Sequence, residues 1–506
     1  MAATIGSALC WWAETKGDQR ALIVEDEALT YRELQDWSSR VARHLADAGI
    51  APGERVGVLG PNSLIWPVLA LGVLKAGAVL VPLNPRLKPA ELRKVLDDSG
   101  AVLAIAPAEF AEPIAQTREL GDDFVAKFFD EFTGLRADGR DDFRVDVDRD
   151  DPVALLFTSG STGLSKGVVC TNRTLLDIVF EATLTEEGLR PGSTALLLLP
   201  LVFTPGVVWG LIMAVVLGNT LVVEKELRPE RAVALIGEHR VNTLFGVPLV
   251  FEAIARTPAF ADTDVSSLRT AIVGGAAVAP ALLKTWADKG VELRQIYGMT
   301  EAGGVATATK RAETFTHPGS CGTGSIFTEL KVIRPDGNEA EPGEEGEIVL
   351  RGPGVTPGYW NDPQSTAQAL RDGWLHSGDL GTRDADGRIT FVDRMKDLII
   401  TGGINISPVE IERAIGELAG VEEVAVIAAP DERFGETPAA IVTAAGGDVD
   451  AAAVVAHCER LLADYKVPRY VVIRSEPLPR LPNGKMSKTA VRAEYRDVAD
   501  RFEKVR

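Results

Sequence analysis

Histidine is scarce in this chain, five residues in 506, and the four cysteines, Cys10, Cys170, Cys321 and Cys458, stand far apart with no CxxC spacing. No HExxH or paired histidine spacing occurs either, so the sequence suggests neither a disulfide framework nor a thiolate or histidine metal centre. Scattered thiols of this kind fit a reducing cytoplasm. Basic residues are also in deficit: 53 Lys and Arg against 72 Asp and Glu give a formal net charge of −19. Such a balance repels nucleic acid and anionic membrane surfaces at long range, yet leaves room for an anionic ligand held by local cations. No stretch reaches the roughly 18 uninterrupted apolar residues of a membrane span, and the N-terminus has no basic segment followed by an apolar core. These absences predict a soluble, cytoplasmic chain with no nucleic-acid partner and no membrane span.

What is present is ordinary globular composition, 46% hydrophobic and 25% charged, in a length that suits two to four structural units. Strand and helix patterns alternate along most of it. In TYRELQDWSSRVARHL, Thr30 and Glu33 make a capping box, and Leu34, Trp37, Val41 and Leu45 recur at helical spacing. RVGVLG reads as a buried strand, SLIWPVLALGVLKAG as an apolar helix, AVLVPLN as a strand, and KPAELRKVLDDSG as a helix stopped by Gly100. The alternation continues through ALLLLP, NTLVVE, RAVALIGEHRV, NTLFGVP and LRTAIVGG, which predicts an α/β fold of βαβ units in mixed sheets. From about 330 to 395, short strands and Gly/Pro turns predict a β-rich subdomain. Beyond 396 a compact α+β unit follows, with helices in SPVEIERAIGEL and DAAAVVAHCERLL around the strand VEEVAVIAAP.

One strand, LLFT, runs directly into SGSTGLSKG (159–167). A loop of this composition cannot pack as core, but its N–H groups, hydroxyls and ammonium can wrap a polyphosphate. It is not a Walker loop, because Gly160, Gly163, Lys166 and Gly167 fall at the wrong offsets. Nor does GSCGTGS (319–325) supply the third glycine of a dinucleotide-binding turn.

Four downstream motifs give the loop its context. TSGSTGLSKG (158–167), YGMTEAGG (297–304), WLHSGDLG (374–381), DRMKDLIITGGINISPVEIE (393–412) and PNGKMSK (482–488) occur in one order along the chain. In that order and spacing the chain resembles the adenylate-forming superfamily, in its acyl-CoA synthetase and acid:CoA ligase branch, over nearly its whole length. The resemblance implies an N-terminal AMP-binding domain over residues 1–395, with the β-rich subdomain inside it, and a small mobile C-terminal domain over 396–506, hinged at Lys396. It also implies an ATP-dependent, AMP-forming acid:CoA ligase that uses ATP, Mg²⁺ and coenzyme A. A carboxylic acid first attacks the α-phosphate to give acyl-AMP and pyrophosphate, and a thiol then displaces AMP. Cations and N–H donors are needed where an anion approaches a polyanion.

Residue by residue, the resemblance assigns Thr158, Ser159, Gly160, Ser161, Thr162, Gly163 and Lys166 to the β- and γ-phosphates. Gly275 and Ala276 would form the adenine wall, Tyr297 would stack on the base, Thr300 would hold the α-phosphate and Glu301 the Mg²⁺, for which a single carboxylate suffices when phosphates and water complete the shell. Asp379 and Arg394 resemble the ribose clamp. Lys485 is the central adenylation residue, its ammonium neutralising charge on both carboxylate and α-phosphate. Gly402 and Gly403 would line the path of the pantetheine arm, where a side chain would obstruct a narrow tunnel.

The acid is addressed by LPLVFTPGVVWG (199–210). Many CoA ligases carry His at the position of Phe203, and amino-acid-activating members carry Asp at that of Thr204, so an ammonium-bearing substrate would go unpaired here. Phe203, Val207, Val208, Trp209, Val247, Gly303 and Gly304 suggest an apolar acid, aliphatic, aryl or polycyclic, with bulky ones included. Three departures bear on adenylation: Ser165 where Pro is common, Asn172 where many members carry His, and Phe203 itself. Alternatives therefore stay open: an enzyme that mainly makes thioester from preformed acyl-AMP, one that loads a carrier protein, or a noncatalytic nucleotide-binding protein. Sequence leaves monomer and homodimer equally available.

Overall fold

Thr30 caps the helix Tyr31–Asp47 as its sequence predicts: its side chain accepts from Glu33 N, and the Glu33 carboxylate accepts from Thr30 N at 2.7 Å. Gly100 stops the helix Pro89–Ser99 in the left-handed region, at φ 64°. These details come from a computed structural model that describes residues 3–121, 123–158, 166–276, 278–401, 404–444, 449–481 and 485–506, the side chains of 404 and 405 excepted.

Contacts divide the chain into two units, residues 1–330 with 350–376, and residues 331–349 with 377–506. The first holds two sheets. One has the strand order Leu293–Ile296, Thr270–Gly274, Thr243–Gly246, Thr194–Leu197, Thr220–Val223, Arg20–Val24 and Glu27–Thr30. Its neighbours are parallel except for the last pair, which is antiparallel. The other runs Val125–Phe128, Ala101–Ala106, Arg55–Leu59, Val79–Leu83, Pro152–Thr158 and Lys166–Thr171, again parallel until the final antiparallel pair. Parallel strands covered on both faces need continuous apolar runs; Val79–Leu83 is buried at every position. The helices Tyr31–Asp47 and Ile65–Lys75 join residues of both sheets in one core cluster, among them Leu22, Val56, Leu69, Leu103 and Leu196.

Lys166, placed by sequence within the Gly/Ser loop, opens the strand Lys166–Thr171 and sits across from Thr158. The segment after the strand Thr194–Leu197 becomes a π-helix, Pro205–Ile212, that continues as the α-helix Met213–Leu217. Gly206 permits its entry, since a Cβ there would lie 2.2 Å from the Pro200 carbonyl oxygen. The expected β-rich stretch contains the strands Glu329–Ile333, Glu345–Arg351, Trp374–Arg383 and Ile389–Arg394, together with one short helix, Pro363–Ala369, capped by Asp362.

In the second unit, Ile399–Thr401 lies between Ile404–Ile406 and Gly435–Ala444, which pairs in turn with Val421–Asp431 and, in parallel, with Tyr470–Arg474. The helix Pro408–Gly416 buries Ile411 and Ile415 in a core shared with Ile399, Val426 and Val442. Among the described residues no helix is long and apolar enough to cross a membrane.

Candidate active site

Three neighbouring parallel strands of the first unit lead to the residues assigned from sequence to the adenine and to Val247. Thr243–Gly246 leads to Val247, Thr270–Gly274 to Gly275 and Ala276, and Leu293–Ile296 to Tyr297. The register places Gly246 beside Val273 and Gly274 beside Ile296, so all three exits lie together. Open parallel sheets bind ligands at this carboxyl edge. Gly275 turns in the left-handed region at φ 80°, and it and Ala276 are exposed. Tyr297 is fixed through its backbone, donating to Thr307 Oγ1 at 3.0 Å and accepting from Ala306 and Thr307 N–H groups.

Beyond Tyr297 the chain makes a tight 3₁₀ turn, Thr300–Ala302, closed by Gly303 N to Thr300 O and Gly304 N to Met299 O. Its two polar side chains find different partners. The Thr300 hydroxyl meets that of Thr204 at 2.8 Å. Glu301 is buried, and its Oε1 accepts from the Tyr359 hydroxyl at 2.9 Å. Burial and then the Glu301 charge push the Tyr359 phenol far above its ordinary pKa, so it remains a donor. Over the same tyrosine ring lies the Lys166 ammonium, 5.0 Å from the centroid, in the range of a cation–π contact. Tyr359 thus links the phosphate-loop lysine to the acidic residue.

Thr158 belongs to the strand that enters the loop, whereas Ser159, Gly160, Ser161, Thr162 and Gly163 lie outside the described residues, as do Gly402 and Gly403. Asn172, one of the departures, is buried and accepts from Ile5 N at 3.1 Å, a packing role.

The second unit carries the remaining charged candidates. Antiparallel pairing of Trp374–Arg383 with Ile389–Arg394 puts Asp379 directly opposite Arg394, with Nε to Oδ1 at 3.6 Å. The Asp379 side chain is 9% exposed and that of Arg394 54%, so the pair offers a fixed carboxylate and an adaptable guanidinium. Lys485 lies between the residues of an antiparallel bridge, Arg480 and Met486, and its carbonyl accepts from Leu481 N at 2.7 Å. Although its surface is exposed, surrounding protein lowers its pKa, Arg394 lowers it further, and Asp379 opposes both. Lys396, in the 3₁₀ turn Met395–Asp397, is lowered by burial first and by Arg394 next, while Asp397, itself paired with Arg492 at 3.0 Å, pulls the other way.

A narrow cavity of about 40 Å³ opens in the first unit between the helix Asn172–Thr185, Trp209, Phe245, Ile272 and the segments 305–308 and 325–328. Trp209 stacks on Phe245, with centroids 5.4 Å apart, and its indole donates to Gly303 O at 2.9 Å. Of the residues assigned to the acid from sequence, Trp209 lines this cavity. Phe203, Val207, Val208 and Val247 instead pack in or against the main core. Gly303 and Gly304 lie behind the indole, and a Cβ on Gly304 would stand 2.9 Å from Trp209 Nε1 and 3.1 Å from Thr204 Cγ2. Sequence reasoning missed Tyr359, Ile178 and Phe245, which carry no local motif. It read Thr204 only as the absence of Asp.

The fold gathers Val247, Gly275, Ala276 and Tyr297 at the carboxyl edge of a parallel sheet, where proteins of this α/β class bind their ligands. Comparison with known proteins makes this specific. The AMP-binding enzyme family matches residues 9–360, and the AMP-binding enzyme C-terminal domain matches residues 410–485. A feruloyl-CoA synthase of Amycolatopsis sp is 39% identical over 92% of this chain and 94% of its own. The long-chain-fatty-acid–CoA ligase FadD13 of Mycobacterium tuberculosis is 36% identical over 93% and 94%. Among solved structures, ATP-bound MatB from Rhodopseudomonas palustris superposes with a TM-score of 0.89 at 28% identity, over 98% of this chain and 100% of that one. The chain belongs to the AMP-binding enzyme family and is an AMP-forming acid:CoA ligase, with a carboxylic acid, ATP and CoA as its substrates.

Proposed function

We propose that this ligase activates an apolar acid, aryl or aliphatic as in the named activities of the feruloyl and fatty-acid relatives, through acyl-AMP, with Lys485 driving adenylation and the domain over 396–506 turning about Lys396 for thioester formation. The observation that carries this reading is the pairing of Asp379 opposite Arg394, the pair suited to ribose, in the same unit as Lys485, on whose ammonium both charges act. A lysine so placed suits a nucleotide whose ribose that pair holds.

In the first half-reaction a carboxylate oxygen bonds to the α-phosphorus and the bond to the pyrophosphate oxygen breaks. Thr300 donates to the α-phosphate, Lys166 and Thr158 hold the distal phosphates, and Lys485 offsets charge at both reacting groups. Tyr297, Gly275 and Ala276 orient the base. Glu301 fits Mg²⁺, being a buried carboxylate with one oxygen already held by Tyr359. Among the described residues no group of three His, Cys, Asp or Glu could hold a metal, and an ion held by Glu301 would draw the rest of its shell from phosphates and water. Held by Glu301, Mg²⁺ would supply charge neutralisation on the pyrophosphate. In the second half-reaction the CoA sulfur bonds to the acyl carbon and AMP leaves.

The test is a mass-spectrometric screen with ATP, Mg²⁺ and a panel of aryl, fatty and polycyclic acids, with and without CoA. Acyl-AMP without CoA and acyl-CoA with it are expected for one class. Acyl-CoA only from supplied acyl-AMP would overturn the adenylation assignment, and transfer only to a holo-carrier protein would overturn CoA as acceptor.

A further inference from the structure

The cavity beside Trp209 carries polar groups where a site for a plain hydrocarbon would be dry. Ile178, Glu181, Ala182 and Thr185 project from one face of the helix Asn172–Thr185 at helical spacing, so the cavity wall extends about 10 Å along that helix. Glu181 is 2% exposed, and its carboxylate accepts from Phe327 N at 2.6 Å and from Thr328 Oγ1 at 2.8 Å. No cation pairs with it in those contacts. An ionised carboxylate has about four acceptor positions, so these two bonds leave capacity for another donor. Ser325, the last residue of the GSCGTGS turn, lines the same cavity, and its hydroxyl is buried with no hydrogen-bond partner. The other lining hydroxyls are engaged: Thr185 with Ala182 O, Thr307 with Cys321 O, Thr328 with Glu181. A buried hydroxyl without a partner is costly unless a ligand completes it.

We infer that Ser325 and Glu181 are specificity-determining residues that read a hydroxyl on the far end of the acid's tail. This rests on the cavity being the acyl site, as proposed above. A tail hydroxyl would donate to the Glu181 carboxylate and accept from Ser325, completing both groups. Trp209 and Phe245 line the apolar walls between that end and the Gly303 side. A tail lacking the hydroxyl leaves Ser325 Oγ without a partner and the spare acceptor capacity of Glu181 unused, and a site built around a hydroxyl discriminates strongly against an analogue without it.

The experiment compares kcat/KM for acyl-CoA formation with two pairs of acids: 4-hydroxycinnamate against cinnamate, and 8-hydroxyoctanoate against octanoate, in the wild type and in Ser325→Ala. The wild type is expected to favour the hydroxylated member of at least one pair by about tenfold or more, an aryl or aliphatic preference naming the source of the hydroxyl. In Ser325→Ala, which removes an unpartnered group and so spares the fold, that ratio falls towards one. Glu181→Gln, which keeps shape and loses charge, lowers it as well. A wild-type ratio near one in both pairs, or an equal loss for both members in Ser325→Ala, overturns the inference. Turnover of dodecanoate with none of the four probes also overturns it while leaving the ligase reading intact. Failure with all five acids contradicts both.

Discussion

The Tyr359 hydroxyl donates to Glu301 Oε1 at 2.9 Å, across 58 positions of sequence, and thereby fixes the carboxylate assigned to Mg²⁺. Since the same ring underlies the Lys166 ammonium, a change at Tyr359 touches both the lysine proposed for the distal phosphates and the carboxylate proposed for Mg²⁺. Tyr359→Phe keeps the ring and removes the hydrogen bond. A loss of about 1.5–3 kcal/mol is expected from one such bond to a charged group, seen as a drop of about tenfold or more in pyrophosphate release and a higher Mg²⁺ requirement. An unchanged Mg²⁺ titration would show that Tyr359 does not position Glu301.

Asp379 and Arg394 face each other across an antiparallel pair, and their proposed role is the ribose. Asp379→Asn keeps size and loses charge, so the KM for ATP is expected to rise about tenfold or more, the loss of a charge-assisted bond, with a smaller effect on the KM for the acid. Equal increases in both would point to a general disturbance of the unit.

Much of the fold was legible in the sequence because it rests on local signals. The capping box of Thr30 and Glu33 and the stop at Gly100 are written within a few residues and appear as expected. The carboxyl-edge positions of Gly275 and Tyr297 follow from βαβ alternation. Tyr359 was not legible, since an isolated tyrosine after a Gly turn has no periodicity and its partner is distant. The π-helix at Pro205–Ile212 was hidden because its apolar sequence suits an α-helix equally well; on it Val207 and Val208 are buried in the main core, as Trp209 is.

Gly304 combines φ 94° with close approach to the Trp209 indole, itself tied to Gly303 O. Gly304→Ala should cost about 1–3 kcal/mol of backbone strain and displace the indole. A lower urea midpoint and a raised KM for the acid are expected together, with the KM for ATP changing less. A variant with wild-type stability and acid affinity would contradict the packing described.

Lys75 is fully buried, donating to Gln35 O and Oε1 at 3.0 Å, to Ser38 Oγ at 3.2 Å and to Ser39 Oγ at 2.5 Å. Burial pushes its pKa down from 10.5 to about 7, with weaker opposing pulls from Cys10, Asp141 and Asp36 and a small further push from Arg144. Between these two values the unfolded chain binds more protons than the folded one, so stability rises with pH across that window and carries no slope from this lysine below it. Urea midpoints between pH 7.5 and 9.5 should therefore rise more steeply in the wild type than in Lys75→Met. Parallel profiles would mean that Lys75 stays charged in its pocket.

The central claim is that Lys485 drives adenylation and not thioester formation, and Lys485→Ala tests it through the two half-reactions measured separately. Acyl-AMP formation from acid and ATP should fall by at least a hundredfold, consistent with the loss of a charge aimed at the reacting phosphate, while acyl-CoA formation from supplied acyl-AMP stays near the wild-type rate. An equal fall in both half-reactions, in a variant with the wild-type melting profile, would contradict it.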